Sequence, residues 1–113
     1  MEIHHEGPAD GISVITLTGR VLISTGCDRI SLLALSLVDQ GTQAIIFDLT
    51  GVTHLDSTGI GQFIATLSAG MKKGLRIVMA GANAQVREAF RVTRLDTVFR
   101  FSDTVESAQA SLS

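Results

Sequence analysis

The chain has no tryptophan, no tyrosine, one cysteine and one proline. Each absence removes a class of function. With only five phenylalanines as aromatics, sites that stack sugars, nucleobases or quaternary amines are poorly supplied. The lone Cys27 cannot form an internal disulfide and reads as a small hydrophobe. Nine Lys and Arg stand against eleven Asp and Glu, a formal net charge of −2. They form no basic cluster, so nucleic acid is not an expected partner. No apolar run approaches the ~20 residues of a membrane helix. Met1-Glu2-Ile3-His4-His5-Glu6 has neither the basic nor the apolar region of a signal peptide. The expectation is a cytoplasmic location with no membrane insertion.

What is present is a globular composition: 113 residues, 45% hydrophobic and 18% charged. That suits one domain, residues 1–113, around one core. Residues 2–6 and 12–17 read as extended segments joined by the turn signal Gly7-Pro8-Ala9-Asp10-Gly11, an N-terminal hairpin that Gly19 ends. Ile30, Leu33, Ala34, Leu37 and Val38 recur at helical spacing within residues 27–39, and Gly41 follows. Ala44-Ile45-Ile46-Phe47-Asp48-Leu49 reads as a buried strand. Ile60, Phe63, Ile64, Leu67 and Met71 predict one apolar helix stripe, closed by Lys72, Lys73 and Gly74. Residues 75–80 read as a strand, and Asn83 as the N-cap of a short helix carrying Val86, Ala89 and Phe90. Residues 97–101 read as the last strand. Asp103 and Glu106 have the spacing of a capping box before a final helix with Val105, Ala108 and Leu112.

The order β-β-α-β-α-β-α-β-α predicts an α/β domain: a mixed, mostly parallel central sheet with an N-terminal hairpin and about four helices. Sites in such sheets form at the carboxyl ends of strands. Asp56, Ser57 and Thr58 fall at one such end, Gly81-Ala82-Asn83 at another, and the segment after strand two, with Arg20 and Leu22, at a third. Three loops are thus expected to build one surface.

Ser57 stands where a helix begins. A helix N-terminus carries unpaired N–H groups and partial positive charge, which suits an added phosphate. Its alternative role is a plain N-cap. Asp56 either orients Ser57 and meets a partner or serves the turn. Gly59 and Gly61 each cost ~1 kcal/mol in a helix, which implies close approach of a partner or of the neighbouring strand. His54, Asp56 and Ser57 are the residue types of a hydrolytic triad, but near-adjacent residues do not stack as nucleophile, base and orienter. His4 and His5 point to opposite strand faces, against joint metal binding. Gly59-Ile60-Gly61 lacks the third glycine of a dinucleotide fingerprint and no Walker-type loop occurs, so no cofactor is expected. No convergent acid, base and nucleophile set is present, and the chain reads as a binding protein, not an enzyme.

Leu17-Thr18-Gly19, Phe47-Asp48-Leu49-Thr50-Gly51-Val52, the block Asp56-Ser57-Thr58-Gly59-Ile60-Gly61, and Val86-Arg87-Glu88-Ala89-Phe90 to Leu95 together resemble the STAS family, in particular its stand-alone anti-sigma factor antagonists. The resemblance covers essentially the whole chain. It implies a partner switch. The unphosphorylated antagonist binds an anti-sigma factor that is also a serine kinase of histidine-kinase-like ATPase fold. That kinase phosphorylates the serine after the motif aspartate, here Ser57, and a PP2C-type phosphatase reverses the reaction. Asp56, Ser57, Thr58, Gly59, Gly61, Arg20, Leu22 and Asn83 are the expected partner-binding residues. One departure stands out: many antagonists carry an acid beside the phosphorylated serine, and this chain has Leu22 there. The alternative expectation is a constitutive, non-phosphorylated interaction subunit of a transporter complex or signalling scaffold.

Overall fold

The computed structural model describes residues 1–112. The elements are β1 (Glu2–Ala9), β2 (Ile12–Val21), a 3-10 turn (Ile23–Thr25), α1 (Arg29–Asp39), β3 (Ala44–Leu55), α2 (Ser57–Met71), β4 (Arg76–Ala80), α3 (Ala84–Val92), β5 (Arg100–Ser102) and α4 (Val105–Leu112). The sheet runs β1-β2-β3-β4-β5, with β1 antiparallel to β2 and every other pair parallel. This is the expected architecture and element order: each parallel neighbour follows in sequence through one helix, the short crossover that parallel pairing requires.

Several element ends differ from expectation. β1 continues to Ala9, and Asp10 (φ 53°) and Gly11 (φ 78°) make the hairpin turn. Positive φ at both central residues gives the turn the twist of the flanking strands. Gly19 does not end β2; it sits within it, between register shifts, and the strand reaches Val21. β3 likewise extends beyond Leu49, pairing with β2 as far as Val21↔Leu55. Val98 and Phe99 donate their N–H groups to the Leu95 carbonyl, so the last strand starts at Arg100 rather than at residue 97. Ahead of α4, Thr104 and Ser107 form the reciprocal cap that Asp103 and Glu106 were expected to form: Ser107 N–H donates to Thr104 Oγ1 and Thr104 N–H to Ser107 Oγ.

α1, α2 and α3 share one face of the sheet with the larger core cluster. All five phenylalanines belong to this side. Phe63 meets Phe47 edge-on at 5.0 Å and Phe90 at 5.9 Å, and Phe90 meets Phe99 and Phe101 at 5.7 and 5.4 Å. Such pairs add ~0.5–1.5 kcal/mol each beyond area burial. Gln62 of α2 accepts from Ser31 N–H and Oγ at 3.1 and 2.7 Å and so fixes α2 against α1. The face α2 buries is Gly59, Ile60, Phe63, Thr66 and Gly70. Ile64 and Met71, expected in its inward stripe, are 42% and 68% exposed. The small residues lie inward because α2 runs close to the sheet. α4 alone packs on the opposite face, over Ala44, Ile46, Val78 and Ala80.

Candidate functional site

The extension of β3 positions the site. β4 pairs with β3 only as far as Asp48↔Ala80, whereas β2 follows it to Leu55. The last strand turns of β2 and β3 therefore project beyond the rest of the sheet, and α2 starts at their tip.

Asp56 is the N-cap of α2, in extended conformation (φ −101°, ψ 179°), and Ser57 is the first helical residue. The plain-cap role considered for Ser57 thus belongs to its neighbour. Asp56 Oδ1 accepts from Gly59 N–H at 2.7 Å. Its other oxygen, Oδ2, accepts from Ile23 N–H at 3.0 Å, a residue 33 positions away. One carboxylate thus joins the start of α2 to the turn after β2. The Gly59 N–H holds the Asp56 carboxyl below its ordinary value, with Ile23 N–H acting in the same sense and desolvation opposing. Two donors aimed at one carboxylate favour its charged form.

The Ser57 side chain is exposed, and its hydroxyl has no hydrogen-bond partner among the described residues. His54 Nδ1 pairs with Thr53 Oγ1 at 3.0 Å and not with Ser57. Thr58 is half-buried. The two glycines of the block differ. A Cβ on Gly59 would meet Val21 O at 2.4 Å and Leu55 Cδ1 at 2.8 Å, so this glycine lets α2 lie against the strands. A Cβ on Gly61 would have nothing within 4 Å. Gly61 therefore leaves a bare patch one helical turn from Ser57.

Of the other expected residues, Leu22 lies beside this junction and Arg20 just before it in β2. The Thr25 hydroxyl donates to Arg20 O at 2.6 Å and receives Leu22 N–H at 3.0 Å, bracing the turn. Asn83 is separate. It caps α3, accepting from Val86 N–H at 2.9 Å, and its amide donates to Val52 O at 3.0 Å. Val52 is four strand residues before Asp56, roughly 13 Å at ~3.3 Å per residue. Two loops meet at Ser57, and the third meets the flank of β3. Ile23, 71% exposed, was not singled out from the sequence. It lies next to Leu22, and only the Asp56 bond reveals its place at the site. Cys27 is buried, as its isolation suggested, and its thiol is pushed up by burial and then by Asp56 and Asp28. No group of three or more His, Cys, Asp or Glu among the described residues is placed to hold a metal ion. No described helix is long and apolar enough to cross a membrane.

A five-stranded mixed sheet with an antiparallel hairpin edge and an aspartate-capped helix at a projecting strand tip defines a class of α/β domain. Residues 7–108 match the STAS domain family, and the chain belongs to it. It is 29% identical over 66 residues to an anti-sigma-B factor antagonist of Staphylococcus aureus, a match spanning 58% of this chain and 61% of that protein's length. The fold superposes with a TM-score of 0.83 on the unphosphorylated form of the anti-sigma factor antagonist SpoIIAA, at 17% identity, covering 98% of this chain and 96% of that one. A sulfate transporter family protein from Wolinella succinogenes shares the fold with a TM-score of 0.81, at 16% identity, covering 94% and 88%.

Proposed function

We propose that the protein is an anti-sigma factor antagonist acting as a partner switch in the cytoplasm. Unphosphorylated, it binds an anti-sigma factor that is a serine kinase of histidine-kinase-like ATPase fold, and so releases a sigma factor. Phosphorylation of Ser57 ends the binding, and a PP2C-type phosphatase restores it. On this reading it is a binding protein, not an enzyme. The observation that carries the proposal is the Ser57 hydroxyl: exposed, unpartnered among the described residues, and one position after an aspartate that already caps the helix. With capping done by Asp56, the serine is free to react.

The energetics suit a switch. A phosphate adds about −1.5 to −2 charge next to the Asp56 carboxylate. Reversing a binding equilibrium from 1:99 to 99:1 needs about 5.5 kcal/mol of differential affinity. Loss of one central contact supplies ~2–4 kcal/mol, and the cost of desolvating the phosphate's charge at a contact surface adds to it. The helix N-terminus accepts the anion, so the fold persists while the interface is lost.

The test is intact mass with peptide mapping after incubation with the candidate kinase and Mg-ATP. One phosphate on Ser57, absent from Ser57→Ala, is expected. Ser57→Ala retains kinase binding and stays active, while Ser57→Asp binds more weakly. Equal binding by both variants with unchanged output refutes the switch. A second reading, a constitutive subunit of a transporter complex or signalling scaffold, is favoured by the apolar pair Leu22 and Ile23 beside the serine. It predicts no phosphate on Ser57 and no cellular effect of Ser57→Ala.

A further inference from the structure

The helices share the sheet unevenly. Three lie on one face, and α4 alone packs on the other, against β3, β4 and β5. Five strands at ~4.8 Å spacing make a surface about 19 Å across, while one helix with its side chains covers ~10 Å. A strip about one helix wide thus remains open over β1 and β2 beside α4. Its floor includes Val14 and Thr16 of β2, both half-buried, with Gln109 of α4 and Glu6 of β1 as its walls. Two cavities of about 570 and 550 Å³ lie along it and share Glu6, Val14 and Gln109.

The half nearer the carboxyl ends of the strands carries one sign of charge. Glu6, Asp48, Asp103 and Glu106 line the 550 Å³ cavity, and no Lys, Arg or His does. Arg87 lies 3.6 Å from Asp103. Glu6, Asp48 and Glu106 have no ion-pair partner among the described residues. Asp48 is fixed in place by Thr50, whose N–H and hydroxyl donate to Oδ1 at 3.1 and 2.7 Å.

We propose that this strip docks one basic amphipathic helix of a protein partner. Helices pack ~8–10 Å apart, which is the width left beside α4. The helix's apolar side chains cover Val14 and Ile12, and its Lys or Arg side chains meet Glu6, Asp48 and Glu106. Val14 and Ile12, half-buried and packed on one side against the α4 cluster, favour a narrow apolar stripe, and carboxylates without cations favour a basic rim. The strip lies on the sheet face opposite α2, so its occupant leaves Ser57 open. The inference is independent of what happens at Ser57.

The test uses the full chain and a labelled helical peptide of about 18 residues made only of Leu and Lys, with Leu at amphipathic spacing. A matched Leu–Glu peptide is the control. At about 150 mM salt, saturable binding of the Leu–Lys peptide is expected, with amide shifts at Val14, Thr16, Asp48 and Gln109. Thr16→Arg, which raises a cation from the floor, lowers affinity about tenfold or more, and Ser57→Asp leaves it unchanged. Glu106→Lys, at an exposed position of α4, lowers it several-fold and serves if Thr16→Arg does not fold. Equal binding of the Leu–Glu peptide, shifts confined to the α1–α2 face, or indifference to Glu106→Lys overturns the proposal. So does a dimer in sedimentation that Glu106→Lys dissociates, since that makes the occupant a second copy.

Discussion

Gly59 and Gly61 lie two residues apart in one helix, and the structure assigns their replacement by alanine opposite signs. Each substitution carries a helix-propensity gain of about 1 kcal/mol. At Gly61 the new methyl meets nothing within 4 Å, so the gain is kept. At Gly59 the methyl would sit 2.4 Å from the Val21 carbonyl oxygen and 2.8 Å from Leu55 Cδ1. An ordinary carbon–oxygen approach is ~3.3 Å or more. The first turn of α2 must therefore retreat by about 1 Å from backbone that cannot swing aside. Overpacking costs ~1–3 kcal/mol, and the backbone obstacle puts this site in the upper part of that range. The net for Gly59→Ala is about 1–2 kcal/mol destabilising, against about 1 kcal/mol stabilising for Gly61→Ala. Urea unfolding at constant slope reads both, and at ~4 °C per kcal/mol the thermal midpoints separate by about 8–12 °C. Two variants shifted equally and in the same direction refute the packing argument. If Gly61 faces the kinase, Gly61→Ala also weakens that complex while raising stability, a combination general unfolding does not produce.

The Asp56 carboxyl is held below its ordinary value of 3.8. Its stabilising contribution is therefore complete above that value and lost as pH falls through the lower folded-state value. Asp56→Asn, with one acceptor for two donors, is expected to cost about 1 kcal/mol at pH 7, and a difference from wild type that fails to shrink below about pH 4 in denaturation curves refutes the cause. Ser13 and Thr42 are buried and share a hydrogen bond of 2.7 Å. Ser13→Ala strands the Thr42 hydroxyl at about 1–3 kcal/mol; in a double-mutant cycle, adding Thr42→Val costs less than the sum of the single changes.

The order of elements was legible because alternation and 3.6-residue spacing are local signals. Where elements ended was not, and the misses have one cause. Thr50 to Leu55 shows no strand-like alternation of apolar residues. These residues are strand because the end of β2 lies beside them, a partner 33 or 34 positions earlier. For the same reason Gly19, read as a stop, is carried through as an irregularity in a ladder held from the other side. In α2 the apolar stripe was read one step off, because Gly59, Thr66 and Gly70 bury well despite their low hydrophobicity when the helix lies this close to the strands. The Asp56-Ser57 block was visible as a motif. The bond from Asp56 to Ile23 was not, since no local pattern ties an aspartate to a backbone N–H 33 residues earlier.

The projecting tip of β2 and β3 has a dynamic consequence. Strand residues between Asp48 and Leu55 have a hydrogen-bonded neighbour on the β2 side and no β4 ladder on the other. Amides there open by local fluctuation, while those of Ile45 to Phe47, flanked by strands on both sides, exchange only when much of the sheet comes apart. Ser57 thus follows a stretch held by one strand ladder and by the Asn83 amide on Val52 O, less firmly than the first half of β3 with its two ladders. An enzyme acting on Ser57, as proposed, would draw on the opening of that stretch while the doubly flanked strands keep their shape.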